Sequence, residues 1–446
     1  MSLINKIIGK LNLSPTKEKV VRNIVWAVTG KVVTLLGGLL VGIFVARYLG
    51  PEQYGLMSYV MSYVALFQVL ASFGMDQIEI REESKSPEER DKIIGTAFTL
   101  KIGFAIITML LVAITAWIFE ADPFTKWMII LYSASMVANS FGVIRNYFTS
   151  LVWNEYIVKT EITRTFIGAG IKVGLLLLHA PLVCFVAATL FDTMLIAGGY
   201  LVAYLRKISS IKKWTFDKER AKYLVRQSFP MLLSGAAIIV YNKIGEVMLG
   251  NMLDKASVAY YSVASRFVEI CIFIPTIISQ TITPILVKHH ESDIDLYNKQ
   301  TKIYCSTITW CSIIVAIITC LISMPLIKYT FGTSYIASVP VLQVLSFKAI
   351  GAALMQSSGQ MIIIEGLQKY AVLRNAIASI VCILSNLILI PLIGVIGVAI
   401  SGVISFIIAG YVAHLFIPAY RKYFPLQTYS IFFGWKDLLR MLKKND

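Results

Sequence analysis

The sequence predicts an all-α polytopic membrane protein, with twelve transmembrane helices in two six-helix bundles related by a parallel pseudo-two-fold repeat around a central cationic cavity. Three observations support this prediction: the apolar composition, a series of long apolar runs, and an uneven distribution of lysine and arginine. Hydrophobic residues make up 57% of the 446 residues and charged residues only 15%, whereas soluble proteins average about 45–50% and about 25%. Such a chain cannot cover itself with polar surface in water, which excludes ordinary soluble enzymes, coiled coils and disordered proteins.

The apolar runs define the individual elements, because a transmembrane helix needs about 20 mostly apolar residues. These runs are continuously apolar, which excludes the alternating pattern of a membrane β-barrel. In the first half of the chain, the predicted spans are 23–47, 54–76, 93–119, 127–149, 160–178 and 182–204. In the second half, they are 229–250, 257–285, 303–326, 338–364, 371–390 and 394–417.

Lysine and arginine set the orientation of the spans. The predicted outer loops carry only Lys126, Lys255 and Lys328, whereas most of the 41 basic residues lie in segments on the other side. Both termini are therefore predicted to be cytoplasmic, and the net charge of +16 reflects topology and attraction to anionic headgroups rather than nucleic-acid binding. The predicted organisation is a cytoplasmic N-terminus 1–22, a bundle 23–204, a basic linker 205–226, a second bundle 227–417 and a cytoplasmic tail 418–446.

Both predicted termini are amphipathic, with apolar residues at helical spacing and basic residues between them. This pattern is typical of a helix that lies on the membrane surface. The N-terminal stripe consists of Leu3, Ile4, Ile7, Ile8 and Leu11. The C-terminal stripe consists of Phe432, Phe433, Trp435, Leu438, Leu439 and Leu442.

A weak internal repeat relates the two halves. Segment 49–60 lies 204 residues before segment 253–264, and in both a long helix ends in a short outer turn before a serine-containing helix returns. Segments 153–156 and 367–370 occupy the same order in their halves. An even number of spans per half makes the repeat parallel, which is a known design of transporters.

Charged residues inside the predicted spans are the main functional signal. Each basic residue facing lipid at mid-membrane would cost roughly 2.5–3.5 kcal/mol, so most must face water, a partner charge or the interface. Acidic residues deep in the spans are fewer, namely Asp192, Glu246 and Glu269. The excess predicts a cationic, water-filled lumen suited to an anionic cargo. The basic residues in spans are Lys31, Arg47, Lys101, Arg145, Arg164, Lys172, Lys243, Arg266, Lys348 and Arg374.

Simpler explanations exist for some of these charges. Arg47 and Arg145 lie near predicted helix ends, from which long side chains reach the interface. Lys243 precedes Glu246 by three residues, and Arg266 precedes Glu269 by the same spacing, so each couple could form a local ion pair.

Four motifs resemble those of bacterial polysaccharide flippases, which transport O-antigen or capsule repeat units and belong to the multidrug/oligosaccharidyl-lipid/polysaccharide exporter superfamily. Segment 46–55 looks like the end of their first span, and segment 226–230 looks like the start of their seventh. Segments 241–250 and 261–269 are similar to the remainder of their seventh span and to their eighth. The likeness covers nearly the whole chain in span count and order.

The resemblance implies alternating access and translocation of undecaprenyl-diphosphate-linked oligosaccharide from the cytoplasmic to the periplasmic leaflet of the cell inner membrane. It also implies membrane lipids and other polysaccharide-assembly proteins as partners, and no enzymatic activity. Coupling to a proton or a sodium gradient is left open, with Asp192, Glu246 and Glu269 as the candidate acids. Glu246 lies one residue after the position where the family has an acidic residue, and this shift argues against a role of Glu246 in ion coupling. The predicted substrate-binding cations are Lys31, Arg47, Arg164, Lys172, Lys243, Arg266, Lys348 and Arg374.

Two other functions compete with this interpretation. A multidrug or cation antiporter of the same superfamily shares the predicted fold but should have a more acidic or apolar lumen. A membrane polysaccharide polymerase or glycosyltransferase usually needs paired carboxylates or an acidic metal site, and the predicted loops contain neither. The six cysteines have no metal-ligand spacing, so no metal or other cofactor is predicted.

Overall fold

A computed structural model describes the backbone of residues 15–442, in which all regular structure is helical and no strand occurs. The chain divides into two compact units. The N-terminal unit comprises the chain up to Tyr48 together with Tyr63–Ala236, and the C-terminal unit comprises Leu49–Ser62 together with the chain from Ala237 onward. The amphipathic stripe predicted at 3–11 lies outside the described residues.

The first helix contributes to both units. Helix α1 (Pro15–Ser72) consists of two helical segments that meet at Gly50, where φ is +71°. Glycine adopts this conformation readily, and Pro51 then starts the second segment in a position that needs no N–H donor. The turn that the sequence places after its first span is therefore present.

The N-terminal unit contains further helices and an apolar core that includes Met75, Phe148 and Tyr204. Asp122 begins one of them by accepting hydrogen bonds from two backbone N–H groups, as an N-cap residue does. The helices are α2 (Asp76–Lys85), α3 (Arg90–Phe119), α4 (Pro123–Ser133), α5 (Ser135–Asn139), α6 (Gly142–Ser150), α7 (Asn154–Leu177), α8 (Leu182–Lys207) and the first half of α9 (Lys218–Met252).

The C-terminal unit contains the rest of α9 and the helices that follow it. Asp254 and Asp293 cap the first two of these helices, and an apolar core centres on Tyr304 and Tyr420. A π-helical turn, Ile408–Val412, interrupts the last long helix. The helices are α10 (Lys255–Ser292), α11 (Ile294–Thr330), α12 (Ser338–Leu345), α13 (Lys348–Ile364), α14 (Ala371–Ile393), α15 (Val395–Ile407), α16 (Ala413–Phe416), α17 (Tyr423–Phe433) and α18 (Trp435–Leu442).

Ten helical segments of the described chain are long and apolar enough to cross a membrane, which confirms a polytopic membrane protein. The first of them, Val28–Lys85, contains the predicted span 54–76 and most of the predicted span 23–47. The predicted span 160–178 lies in α7 except for its last residue, and α7 is not among the ten. The count of twelve, the pseudo-two-fold repeat, the central cavity and the domain boundaries stay predictions.

Helix α1 ends at Ser72, where the chain bends and then continues into α2. Phe73 and Gly74 both have positive φ angles, and α2 starts two residues later. A Cβ atom on Gly74 would lie 2.5 Å from the backbone nitrogen of Leu232, so only glycine allows this approach. Helix α9 contains Pro230 close to the same point, and proline interrupts helical hydrogen bonding. Two weakened helices therefore meet at this place in the N-terminal unit.

The C-terminal tail packs against the C-terminal unit. Trp310 donates a hydrogen bond to the carbonyl oxygen of Ser430 at 3.0 Å, and Ser306 donates one to Asp437 at 3.0 Å. Burial and the neighbouring Glu365 carboxylate raise the pKa of Tyr423, which keeps its hydroxyl a donor to that carboxylate. Apolar side chains of the predicted stripe stay exposed on the other face, and their contact with the membrane surface stays a prediction.

Candidate functional site

The eight predicted substrate-binding cations fall equally into the two units. Those in the N-terminal unit are Lys31, Arg47, Arg164 and Lys172, and those in the C-terminal unit are Lys243, Arg266, Lys348 and Arg374. Each group is described within its own unit.

Lys243 is neutralised by a carboxylate. Its ammonium donates to Glu246 Oε1 at 2.9 Å, as their spacing on α9 predicts. The other oxygen, Glu246 Oε2, accepts hydrogen bonds from Ser62 at 2.6 Å and Ser262 at 3.0 Å. Glu246 is buried and fully partnered. It joins the second segment of α1, α9 and α10, so its position favours a structural role over ion coupling.

Lys348, by contrast, is a buried cation that forms no ion pair with a carboxylate of the described residues, although Glu269 lies within electrostatic range. Its side chain lies at the start of α13 and the residue is only 5% exposed. The ammonium donates a long 3.4 Å hydrogen bond to Asn242 Oδ1 and lies 4.3 Å from the centre of the Phe406 ring. An amide and a ring face compensate a buried charge only in part, since an unpaired ion costs several kcal/mol to bury.

Arg374 on α14 is the second buried cation of this kind. The residue is 8% exposed, and its Nε donates to Asn375 Oδ1 at 3.4 Å. Its Nη1 atom has no hydrogen-bond partner within the described chain. Tyr241 lies within electrostatic range of the guanidinium, and its ring packs edge-on against Phe406. Phe406 and Tyr241 therefore link the surroundings of Lys348 and Arg374.

Arg266 completes the cations of the C-terminal unit. Its guanidinium lies 5.8 Å from the centre of the Tyr54 ring, in the geometry of a cation–π contact. The ion pair with Glu269 that the spacing allows does not form in the described structure, and Glu269 is exposed. Four cations and two carboxylates leave this part of the unit with an excess of positive charge. We call Lys243, Arg266, Lys348 and Arg374 the C-terminal cationic cluster.

In the N-terminal unit, Lys172 forms an ion pair with Asp192 across α7 and α8. Gly168 makes this possible, because a Cβ atom there would lie 2.1 Å from Asp192 Oδ1. Arg164 is half-buried and its Nε has no partner in the described chain. Lys31 and Arg47 are exposed on α1.

The pairing of Asp192 leads to a prediction. Asp192→Asn is expected to lower the melting temperature, because removing one member of a buried pair costs about 3–5 kcal/mol and this pair is slightly exposed. Adding Lys172→Met should restore the melting temperature and leave surface glycan at the wild-type level. Thermal unfolding in detergent and a surface-glycan immunoblot measure the two effects. A double variant that folds but exports no glycan would show that Lys172 or Asp192 acts in transport beyond their ion pair.

Sequence reasoning missed one charged group. Lys101 on α3 is one of the basic residues in the predicted spans but is not among the predicted substrate-binding cations. Its ammonium lies 2.7 Å from both Asp76 and Glu79, carboxylates of α2 that the sequence places at a span end and in a loop. The available signal was the acidic spacing of Asp76, Glu79 and Glu83, which puts three carboxylates on one helix face.

Comparisons with known proteins agree with this architecture. Residues 20–290 match the model of the family described as polysaccharide biosynthesis protein. No curated protein matches the sequence at a significant level.

Solved structures match over nearly the whole chain. An inward-facing multidrug resistance MATE family transporter of the MOP superfamily is 15% identical with a TM-score of 0.66, covering 87% of this chain and 96% of its own. Lipid II flippase MurJ in an inward closed conformation is 17% identical with a TM-score of 0.66, covering 94% and 93%. A MOP superfamily transporter from Pyrococcus furiosus is 16% identical with a TM-score of 0.57, covering 92% and 96%. At these identities the likeness shows the fold.

Proposed function

Because the chain belongs to the polysaccharide biosynthesis protein family, we propose that it is a lipid-linked oligosaccharide flippase. It moves undecaprenyl-diphosphate-linked glycan repeat units from the cytoplasmic to the periplasmic leaflet. The repeat units supply O-antigen, capsule or exopolysaccharide. The protein lies in the cell inner membrane with both termini in the cytoplasm, as its basic inner segments indicate.

One observation supports this proposal most directly: Lys348 and Arg374 are buried, and neither forms an ion pair with a described carboxylate. A protein gains nothing in stability from such groups, since a buried charge without a partner is destabilising. The presence of these two buried cations is explained if an anionic ligand binds to them and neutralises their charge. A diphosphate suits both, because guanidinium and ammonium groups bind phosphate oxygens through short, charge-assisted hydrogen bonds.

In the mechanism that we propose, the C-terminal cationic cluster binds the diphosphate transiently during transport. Arg374 presents an unused Nη1 donor and Lys348 an ammonium held only by an amide. Release outward is helped by an inside-negative potential, which contributes about 2.3 kcal/mol per charge per 100 mV.

Gene deletion tests the proposal. Cells that lack this protein are expected to lose the surface glycan and to accumulate the lipid-linked repeat unit in the cytoplasmic leaflet, and the intact gene should reverse both effects. Surface glycan is read by immunoblot, and the sidedness of the lipid is read with a membrane-impermeant label. Unchanged surface glycan in the deletion strain, with no other flippase gene active, would refute the proposal.

A multidrug or cation antiporter is the second candidate, favoured by the MATE-like fold. The excess positive charge of the C-terminal cationic cluster opposes it, because like charges repel a cationic drug. Growth of the same deletion strain on cationic drugs separates the two. A drug-sensitive strain with normal glycan would support the antiporter.

A further inference from the structure

The N-terminal unit contains a second charged group, and none of its members is among the predicted substrate-binding cations. Helix α2 directly follows the bend at residues 73–75 and carries Asp76, Glu79 and Glu83 on one face. Helices α3 and α6 pack against this face and supply Lys101 and Asn146. Discontinuous helices of this kind are frequent at ion sites in transporters.

Two of the three carboxylates are held by donors. The ammonium of Lys101 donates to Asp76 Oδ1 at 2.7 Å and to Glu79 Oε2 at 2.9 Å. The amide of Asn146 donates to the same two oxygens, at 2.9 Å and 2.6 Å. Lys101 and Glu79 are buried, whereas the side chain of Asp76 is 53% exposed. One end of the group is therefore open at the surface of the N-terminal unit.

Glu83 lies one helical turn beyond Glu79 and is 3% exposed. Neither of its carboxyl oxygens has a hydrogen-bond partner in the described chain. The hydroxyl of Ser150 is close to it but donates to the carbonyl oxygen of Tyr147 at 2.8 Å. The adjacent Glu82 shows the contrast, because it is buried yet bonded to Arg81, Arg220 and Tyr223.

The charge balance of this group decides the state of Glu83. The ammonium of Lys101 already donates hydrogen bonds to Asp76 and Glu79. An ionised Glu83 would therefore add a third negative charge without a hydrogen-bond donor. An uncompensated buried carboxylate costs several kcal/mol and takes up a proton instead. A sodium ion would need several oxygen ligands, and the ammonium of Lys101 already lies on Asp76 Oδ1 and on both oxygens of Glu79, where it repels a second cation.

We propose that Glu83 is a proton-carrying site, and that Lys101 couples its protonation to the position of α2. In the arrangement described here, the carboxyl group of Glu83 is neutral and the ammonium of Lys101 donates to Glu79. When water reaches the group, the O–H bond of Glu83 breaks and the proton passes to water. The carboxylate then competes with Glu79 for the ammonium, one helical turn away. Since α2 follows a bend, this exchange can shift it relative to α3.

The charged groups that face Glu83 are few. Glu79 lies on its own helix and Lys101 on α3. From α6 the facing polar group is Ser150, while Arg145 of the same helix acts on Asp76. The coupling of this proton to transport rests on the proposed function. The protonation of Glu83 does not depend on the proposed function.

Infrared spectroscopy of the purified, full-length protein in lipid tests the proton directly. The wild type is expected to show the carbonyl stretch of a buried protonated carboxyl at neutral pH. Glu83→Gln should remove this band, and Glu82→Gln, the matched control, should keep it. An unchanged band in Glu83→Gln would overturn the proposal. If that variant does not fold, Glu83→Asp must shift the band, and an unshifted band would overturn it equally.

Transport in proteoliposomes tests the coupling, with a fluorescent undecaprenyl-diphosphate saccharide as probe. An imposed proton gradient should change the wild-type flipping rate, Glu83→Gln should lose this response, and the exposed control Glu88→Gln should retain it. A wild-type response in Glu83→Gln would overturn the coupling. Failure of the proposed function has a different signature, because then no variant flips the probe while the infrared band still depends on Glu83.

Discussion

Lys348→Met is expected to raise the stability of the protein while reducing glycan export about 10–100-fold. The stability should rise because methionine fills a similar volume in the buried site and removes an ammonium that lacks a carboxylate. Export should fall because a charge-assisted hydrogen bond to a phosphate contributes about 1.5–3 kcal/mol, and each 1.4 kcal/mol is tenfold in binding. A variant that is more stable but exports less glycan would show that the lysine is retained for ligand binding and not for stability.

The measurement combines thermal unfolding in detergent with complementation of a flippase-deficient strain at matched protein abundance. Lys328→Met is the control, because that lysine is exposed at the end of α11 and should change neither quantity. Lys348→Arg keeps the charge and should retain part of the export. If Lys348→Met destabilises the protein and leaves export intact, the residue is structural and the proposed diphosphate site loses its main support.

The helices were predictable from the sequence because long apolar runs leave few alternatives. The turn at Gly50 and the pair of Lys243 with Glu246 were also predictable, since both depend on neighbours within a few residues. Local spacing is not sufficient, however. Arg266 and Glu269 have the same spacing but form no ion pair in the described structure, because Arg266 lies against Tyr54 instead.

The carboxylates of α2 were missed for a physical reason. Residues 76–85 are too polar to count as part of a span, so hydropathy assigns most of them to a loop. Their burial depends on Lys101 and Asn146, which come from other helices and neutralise or bond them. The pair of Lys172 with Asp192 was missed similarly, because contacts between two helices are not visible in a single sequence.

The shifted acid of the family motif also has an explanation in the structure. Where a carboxylate is expected, Gly245 faces α15, and a Cβ atom there would lie 2.4 Å from Val398 Cγ1. A larger residue would force the two helices apart. The acid one place later, Glu246, points toward Ser62 and Ser262 instead, so the sequence departure changes the role of the carboxylate.

Glu246→Ala is expected to cause a large loss of stability, at most about 3–5 kcal/mol, because it removes a buried carboxylate and leaves Lys243, whose side chain is 36% exposed, without its ion-pair partner. The hydroxyls of Ser62 and Ser262 lose their acceptor as well. A typical protein has only about 5–15 kcal/mol of stability. The variant should therefore be scarce in membranes and should melt well below the wild type in detergent.

Two further variants separate structure from ion coupling at this carboxylate. Glu269→Ala removes an exposed carboxylate of α10 and should leave the melting temperature unchanged. Lys243→Met combined with Glu246→Gln removes both charges while an amide oxygen still accepts from the serines, so it should recover most of the lost stability. Because both carboxylate oxygens of Glu246 already accept hydrogen bonds from Lys243, Ser62 and Ser262, we expect no driving ion to bind there. A stable double variant that loses its response to an ion gradient, with Glu269→Ala unaffected, would contradict this interpretation.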